Sequence, residues 1–322
     1  MNRQNIIKSI LFLLVVQFST DLKAQIIFDY SGAELVLEHF TEGTNNIEKI
    51  VKNAGYQHIL NHSKKYSSNP LNEENLINSL NGKNEGFDFS KVKQRKDTLL
   101  QIINYLKENE KKIFEEYAVL PTEYLPNDYK QKATIYIVIG GYNGIAFDDK
   151  ICINIDYQQF RRNQNEIDLY IAHELFHIGF EKYQRLPDIF NAKTVKDLRE
   201  IVLTMTMNEG LATLTPYHKR VAINQLNDYD YKVLLDSLQL NEKLNQFENV
   251  MSLMNNNLDK EITNEILSQV LGQCSGDRLF YIVGCEMGLK IEEKYGKQKL
   301  KQLIELGADD FFMTYNNILN EE

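Results

Sequence analysis

The chain has 322 residues, 43% hydrophobic and 25% charged, with a formal net charge of −9. This composition excludes a disordered chain, a multispanning membrane protein and any collagen-like or low-complexity class, and the length suffices for one large domain or two modest ones with a real core. The acidic balance and the lack of a dense Lys/Arg run argue against nucleic acid as a partner, because phosphates demand a basic face.

The first 24 residues read as a targeting segment. Arg3 and Lys8 give a basic start, Ile10 to Val16 is an unbroken apolar run, and Leu22-Lys23-Ala24 ends on a small residue before Gln25. This layout predicts a secretory signal peptide over residues 1–24. Its apolar run falls well short of the roughly 20 residues needed to cross a bilayer, so no stable membrane span is expected after processing. Cleavage removes Arg3, Lys8 and Lys23 against Asp21 and leaves −11. The expectation is an exported protein, periplasmic or secreted. Disulfides are allowed in such a compartment. Cys152, Cys274 and Cys285 are odd in number, so at least one stays unpaired within the chain; Cys274 and Cys285 could pair.

Residues 25–130 are expected to form a helical N-terminal part. Ile47, Ile50, Val51 and Ala54 keep helical spacing, and Ser90 is placed to cap a long helix through Leu99, Ile102, Ile103 and Leu106. Pro121 and Pro126 bracket a break. The texture changes in residues 131–322. Ala133 to Ile139 and Ile151 to Ile155 are short, β-branched runs separated by the turn signal Gly140-Gly141-Tyr142-Asn143-Gly144, which predicts a sheet of two or three strands. Helices are then expected near 166–181, 194–214, 228–258, 261–271, 277–294 and 297–306, the second opened by a Thr194/Asp197 capping pair. The fold class is α+β and mostly helical.

The chemistry-bearing motif is His173-Glu174-Leu175-Phe176-His177. On a helix, positions i and i+4 share a face, so both imidazoles can reach one Zn2+ ion while Glu174 faces the water beside it. Apolar residues on both sides predict a buried helix with Leu175 and Phe176 in the core. A catalytic zinc site uses three protein ligands and an open position. Phe180 and Tyr183 occupy the places where a metzincin has glycine and histidine. Glu209, in Asn208-Glu209-Gly210-Leu211-Ala212, is the favoured third ligand over Glu181, Asp188, Asp197 and Glu200. The apolar run Ile201 to Met207 leads into it, and a buried carboxylate needs a partner such as a metal.

His-Glu-x-x-His followed by Asn-Glu-Gly-x-Ala resembles the gluzincin group of zinc peptidases, with Asn208–Ala212 similar to the third-ligand motif of its aminopeptidases. The ensemble is also similar to a bacterial family of zinc-dependent peptidases, through Tyr281-Ile282-Val283-Gly284, Ile291-Glu292 and Phe311-Phe312-Met313-Thr314-Tyr315-Asn316. The similarity covers most of the region after about residue 130. It implies a zincin-like catalytic part over 131–322 and a peptide or protein substrate. The fold analogy also implies substrate addition to an edge strand, with Gly140–Phe147 as the lip. The chain departs from the aminopeptidases in a longer gap between His177 and Glu209, in Thr213 where many gluzincins carry an aspartate, and in lacking Gly-x-Met-Glu-Asn.

The assigned roles are metal ligation for His173, His177 and Glu209, and general base for Glu174. Tyr281 is the candidate oxyanion donor, with Tyr217 and His218 behind it. Tyr281, Gly284 and Gly288 also share a helical face suited to close packing. The alternative function is a non-catalytic exported binding protein on the same scaffold, which would have no use for Glu174. Gly272-Gln273-Cys274-Ser275-Gly276 matches a nucleophile-elbow variant but follows helical spacing, and it reads as a helix cap at Gly272 followed by a new start at Ser275. His58 and His62 form a second i, i+4 pair without an intervening glutamate, read as a solvated helix face.

Overall fold

The computed structural model describes residues 25–321, so the expected signal peptide lies outside the described residues. The described residues form a mostly helical α+β structure with one mixed four-stranded sheet. The strands are β1 (Gln25–Asp29), β2 (Lys132–Val138), β3 (Gly144–Phe147) and β4 (Lys150–Asn154), in the order β1-β2-β4-β3. The β1–β2 and β2–β4 pairs are parallel and the β3–β4 pair is antiparallel.

The first strand corrects the helical reading of residues after 25. Five residues are too few to declare a period, and pairing in the register Gln25↔Lys132 makes them a strand. Gly140 and Gly141 turn the chain between β2 and β3 with φ of 81° and 82°. Asp148 and Asp149 close the β3–β4 hairpin with φ of 51° and 57°, the two left-handed residues of a primed two-residue turn. This hairpin leaves β3 at the sheet edge.

A first apolar core lies between the sheet and α1 (Ser31–Glu42), α2 (Ile47–Val51), α3 (Ala54–Tyr66), α4 (Glu73–Leu80) and α5 (Lys96–Lys112). Helix α5 begins at Lys96 with no side-chain cap, and the Ser90 hydroxyl instead donates to Asp88 at 2.6 Å. Ser90 is therefore not its cap.

The remaining helices are α6 (Gln158–Arg162), α7 (Asn165–Phe180), α8 (Val195–Leu214), α9 (Tyr217–Ala222), α10 (Tyr229–Leu235), α11 (Ser237–Asn255), α12 (Asn264–Leu271), α13 (Leu279–Tyr295), α14 (Lys297–Leu306) and α15 (Ala308–Leu319). Those from α8 onward surround a second core. Thr194 and Asp197 form the expected reciprocal capping box on α8. The single helix expected over 228–258 is two, because Asp236 accepts from the backbone N–H groups of Leu238 and Gln239 and starts α11.

Helix α7 stands between the two cores. Ile167, Ile171, Leu175 and Ile178 join the sheet core, whereas Phe176 and Phe180 join the helical core. A helix apolar on two sides has little freedom to rotate, which fixes the remaining face carrying His173 and His177. Helices α8 and α13 cross at backbone contact. A Cβ on Gly210 would lie 2.2 Å from the Gly284 carbonyl carbon, and one on Gly284 would lie 2.1 Å from the Thr206 oxygen. Only glycines permit that approach.

Candidate metal centre

His173 and His177 project from one face of α7, and Glu209 meets them from α8. The two Nε2 atoms are 3.1 Å apart. Glu209 Oε2 lies 3.6 Å from His173 Nε2 and 3.4 Å from His177 Nε2. Tetrahedral ligands at about 2.0–2.1 Å from zinc stand roughly 3.3 Å from one another, so a zinc ion fits this triangle. Among the described residues, no other group of three His, Cys, Asp or Glu side chains converges in this way.

The electrostatics fit a cation as well. Burial opposes charge on all three groups, and it pushes the His173 imidazole down to about 4. At His177 the Glu209 carboxylate outweighs burial and raises the imidazole to about 9. At Glu209 the His177 charge outweighs burial and holds the carboxyl well below its usual range. A buried carboxylate facing two imidazole nitrogens is a donor set that suits a divalent cation. His177 Nδ1 donates to Asn208 Oδ1 at 2.9 Å, which turns the Nε2 lone pair toward that centre. Asn208 thus does the orienting that the sequence comparison sought at residue 213. The missed signal was the asparagine of the Asn-Glu-Gly-x-Ala motif itself.

Glu174 is 5% exposed and lies beside the edge strand. Burial raises its carboxyl to about 7. A Cβ on Gly144 would come within 2.7 Å of Glu174 Oε1 and 2.4 Å of the Tyr170 ring, so the glycine lets β3 lie against α7. Tyr281, on the first turn of α13, stacks on His173 with ring centroids 6.3 Å apart and planes 13° apart. Packing and site geometry coincide here: the Gly210–Gly284 crossing, one turn further along α13, brings Tyr281 up to the Glu209 side of the centre. Tyr217 and His218 do not line the cleft. Tyr217 packs on Tyr231, and His218 Nε2 lies 3.1 Å from both Glu292 oxygens.

The trio sits in a cleft of about 540 Å³. Tyr142, Gly144, Ile145 and Ala146 of the expected lip form one wall. Arg278 and Asp230, which the sequence reading did not single out, line it too; Arg278 Nε donates to Asp230 Oδ1 at 3.0 Å.

Two expectations from the sequence change. His58 and His62 do not form a solvated face: His58 stacks on Phe147 at 4.0 Å, and His62 sits among Tyr66, Tyr142 and Phe147. Burial pushes both imidazoles down to about 4. Gly272 is the C-cap of α12, as expected, but the chain continues from it as a π-type turn to Gly276, and the next helix, α13, starts after the left-handed Arg278 and not at Ser275. Cys274, in that turn, is fully buried with the thiol pushed up to about 12, which is no setting for the nucleophile that the elbow-like match would need. Cys152, Cys274 and Cys285 are all free thiols.

A family model described as Putative zinc dependent peptidase (DUF5700) matches residues 44–322. The chain belongs to that family. The match begins in the N-terminal helices, well before the region after 130 where the resemblance was legible by motif. No curated protein and no solved structure matches the chain.

Proposed function

We propose that the protein is an exported zinc metallopeptidase of gluzincin type, with His173, His177 and Glu209 as zinc ligands. The observation that carries the reading is the His173–His177–Glu209 triangle with the buried Glu174 carboxyl beside it. Family membership supports zinc dependence and a peptide substrate. The layout of residues 1–24 supports export.

Zinc, bound by His173, His177 and Glu209, would supply polarisation of a scissile carbonyl and a water acidic enough to ionise near neutral pH. The side chains supply the rest. Glu174, with its carboxyl raised by burial, takes the proton from water and delivers it to the leaving amine. The Tyr281 hydroxyl donates a hydrogen bond to the oxyanion that develops at the carbonyl. Strand β3, at the sheet edge and lining the cleft, offers backbone groups to an extended substrate. Gly144 keeps that strand close to Glu174.

The test is metal analysis of the mature chain together with peptide cleavage with and without chelator. One zinc per chain and chelator-sensitive cleavage are expected, with the zinc lost in His177→Ala. Glu174→Gln should abolish cleavage and keep the zinc, because Glu174 is assigned as base and not ligand. Normal turnover in that variant, or a wild-type chain without zinc, overturns the reading.

A further inference from the structure

We propose that Arg278 forms a carboxylate-binding subsite that receives the C-terminal carboxylate of a peptide substrate, so that cleavage falls close to the C-terminal end. This rests on the peptidase reading above and specifies its substrate.

Two arginines line the cleft, Arg220 and Arg278. Arg220 is 4% exposed; its Nη1 donates to Glu166 at 2.7 Å and to the Gln225 carbonyl at 3.1 Å, and its Nε is buried without a partner. Arg278 differs in its exposure. Its side chain is 39% exposed. Asp230 accepts from its Nε and Nη2, and no described residue accepts from its Nη1. The guanidinium lies over the Tyr281 ring, 3.3 Å from the centroid. Ion pair and ring together hold a planar fork in one orientation with N–H groups to spare, the arrangement that suits a carboxylate. The backbone of Arg278 is left-handed, at φ 65°. A non-glycine residue adopts that conformation at a cost, and such strain gathers at functional sites.

Position along the cleft supplies the direction. Strand β3 runs from Gly144, beside Tyr170 and Glu174, to Phe147. Arg278 lies over Tyr281, Tyr281 stacks on His173, and His173 stacks in turn on Tyr170, at the Gly144 end. Glu181 interacts with the Asp148 backbone, at the Phe147 end. A peptide added antiparallel to β3, the more stable pairing, runs with its C-terminal side toward Gly144 and Arg278. Its N-terminal side then points to Glu181. Through Tyr281, the guanidinium is no more than about 10 Å from the His173 ring. Extended chain advances about 3.3–3.6 Å per residue, so the carboxylate would follow the scissile bond by one to three residues.

The same chemistry could come from an acidic side chain, and the test separates the sources. Binding is measured by calorimetry on zinc-loaded Glu174→Gln protein, which isolates recognition from turnover. Peptides of one neutral sequence are offered as the free acid and as the C-terminal amide, together with an amide carrying an internal glutamate. The free acid should bind at least tenfold more tightly than either amide. Arg278→Gln should reduce the acid to the level of the amides. That variant leaves Asp230 buried without its partner, so the double variant Arg278→Gln/Asp230→Asn, which removes both charges, guards against misfolding. Equal binding of acid and neutral amide, or a preference that survives both variants, overturns the subsite. Preference for the glutamate-bearing amide over the free acid overturns the terminal assignment. Failure of the wild-type enzyme to cleave any peptide would count against the peptidase reading alone, since the binding comparison stands apart from it.

Discussion

At the residue scale the centre depends on hydroxyls and carboxyls whose surroundings set their behaviour. Tyr281 offers a clean case, because the phenyl ring alone preserves its stacking on His173. Tyr281→Phe should lower kcat a hundred- to thousandfold, the usual loss of about 2.7–4 kcal/mol for one oxyanion donor, with zinc content and Tm unchanged. A rate within a few-fold of wild type would reduce Tyr281 to packing. Asp168 shows the same principle away from the cleft. It is fully buried on α7, accepts from the Tyr105 hydroxyl at 2.7 Å, and leaves Oδ1 without a partner. Burial, partly offset by that hydrogen bond, raises its carboxyl to about 6, above the unfolded value of about 3.9. The neutral form is thus favoured by folding. Its stabilisation is full below pH ~4 and is lost as pH rises through 6. Asp168→Asn should therefore gain about 2–3 kcal/mol relative to wild type between pH 4 and pH 8, read from urea unfolding at both values. A difference that does not change with pH refutes this.

At the scale of elements, the α8–α13 crossing ties the third ligand to Tyr281. Gly210 follows Glu209 directly, and its Cα faces the Gly284 backbone, not a movable side chain. Gly210→Ala gains helix propensity of about 1 kcal/mol but must separate two buried helices, and overpacking typically costs 1–3 kcal/mol or more. The expected net result is lower stability in chemical unfolding, together with reduced turnover in the folded fraction, as Tyr281 moves away from His173. An alanine variant with wild-type stability and kcat would show that the crossing has slack. Helix α7 is constrained differently. Its two apolar sides fix its rotation, and Gly144 fixes the distance to the edge strand.

At the scale of the whole molecule, three polar groups are gathered between two apolar cores, and a bound cation would offset their burial. Zinc at a hundredfold excess over Kd adds about 2.7 kcal/mol to the folded state. Chelation should then lower Tm by about 4 °C for a chain of this size. His177→Ala should show no such shift. A wild-type Tm indifferent to chelator would contradict a preformed metal site.

The chemistry of the centre is local in the sequence, which is why it was legible there. His173 and His177 lie on one face because a helix repeats every 3.6 residues, and flanking apolar residues make that helix buried wherever it packs. Thr194 and Asp197 likewise close their capping box within four residues. Glu209 could be singled out by the apolar run before it, but its meeting with the histidines depended on how α8 crosses α7. Arg278 and Asp230 carried no local signal, and the motif that holds Asn208 did not name its partner. Asn208 acquires its partner across 31 residues, and Arg278 finds Asp230 across 48. Strand β1 needed β2, more than a hundred residues away, to supply its hydrogen bonds. His58 and His62 looked solvent-facing because the aromatic wall of Tyr142 and Phe147 arrives from the β3 hairpin. Helical periodicity and capping satisfy their own hydrogen bonds within a few residues. Edge pairing, burial of a polar face and the partner of a charge are long-range, and only the packed chain decides them.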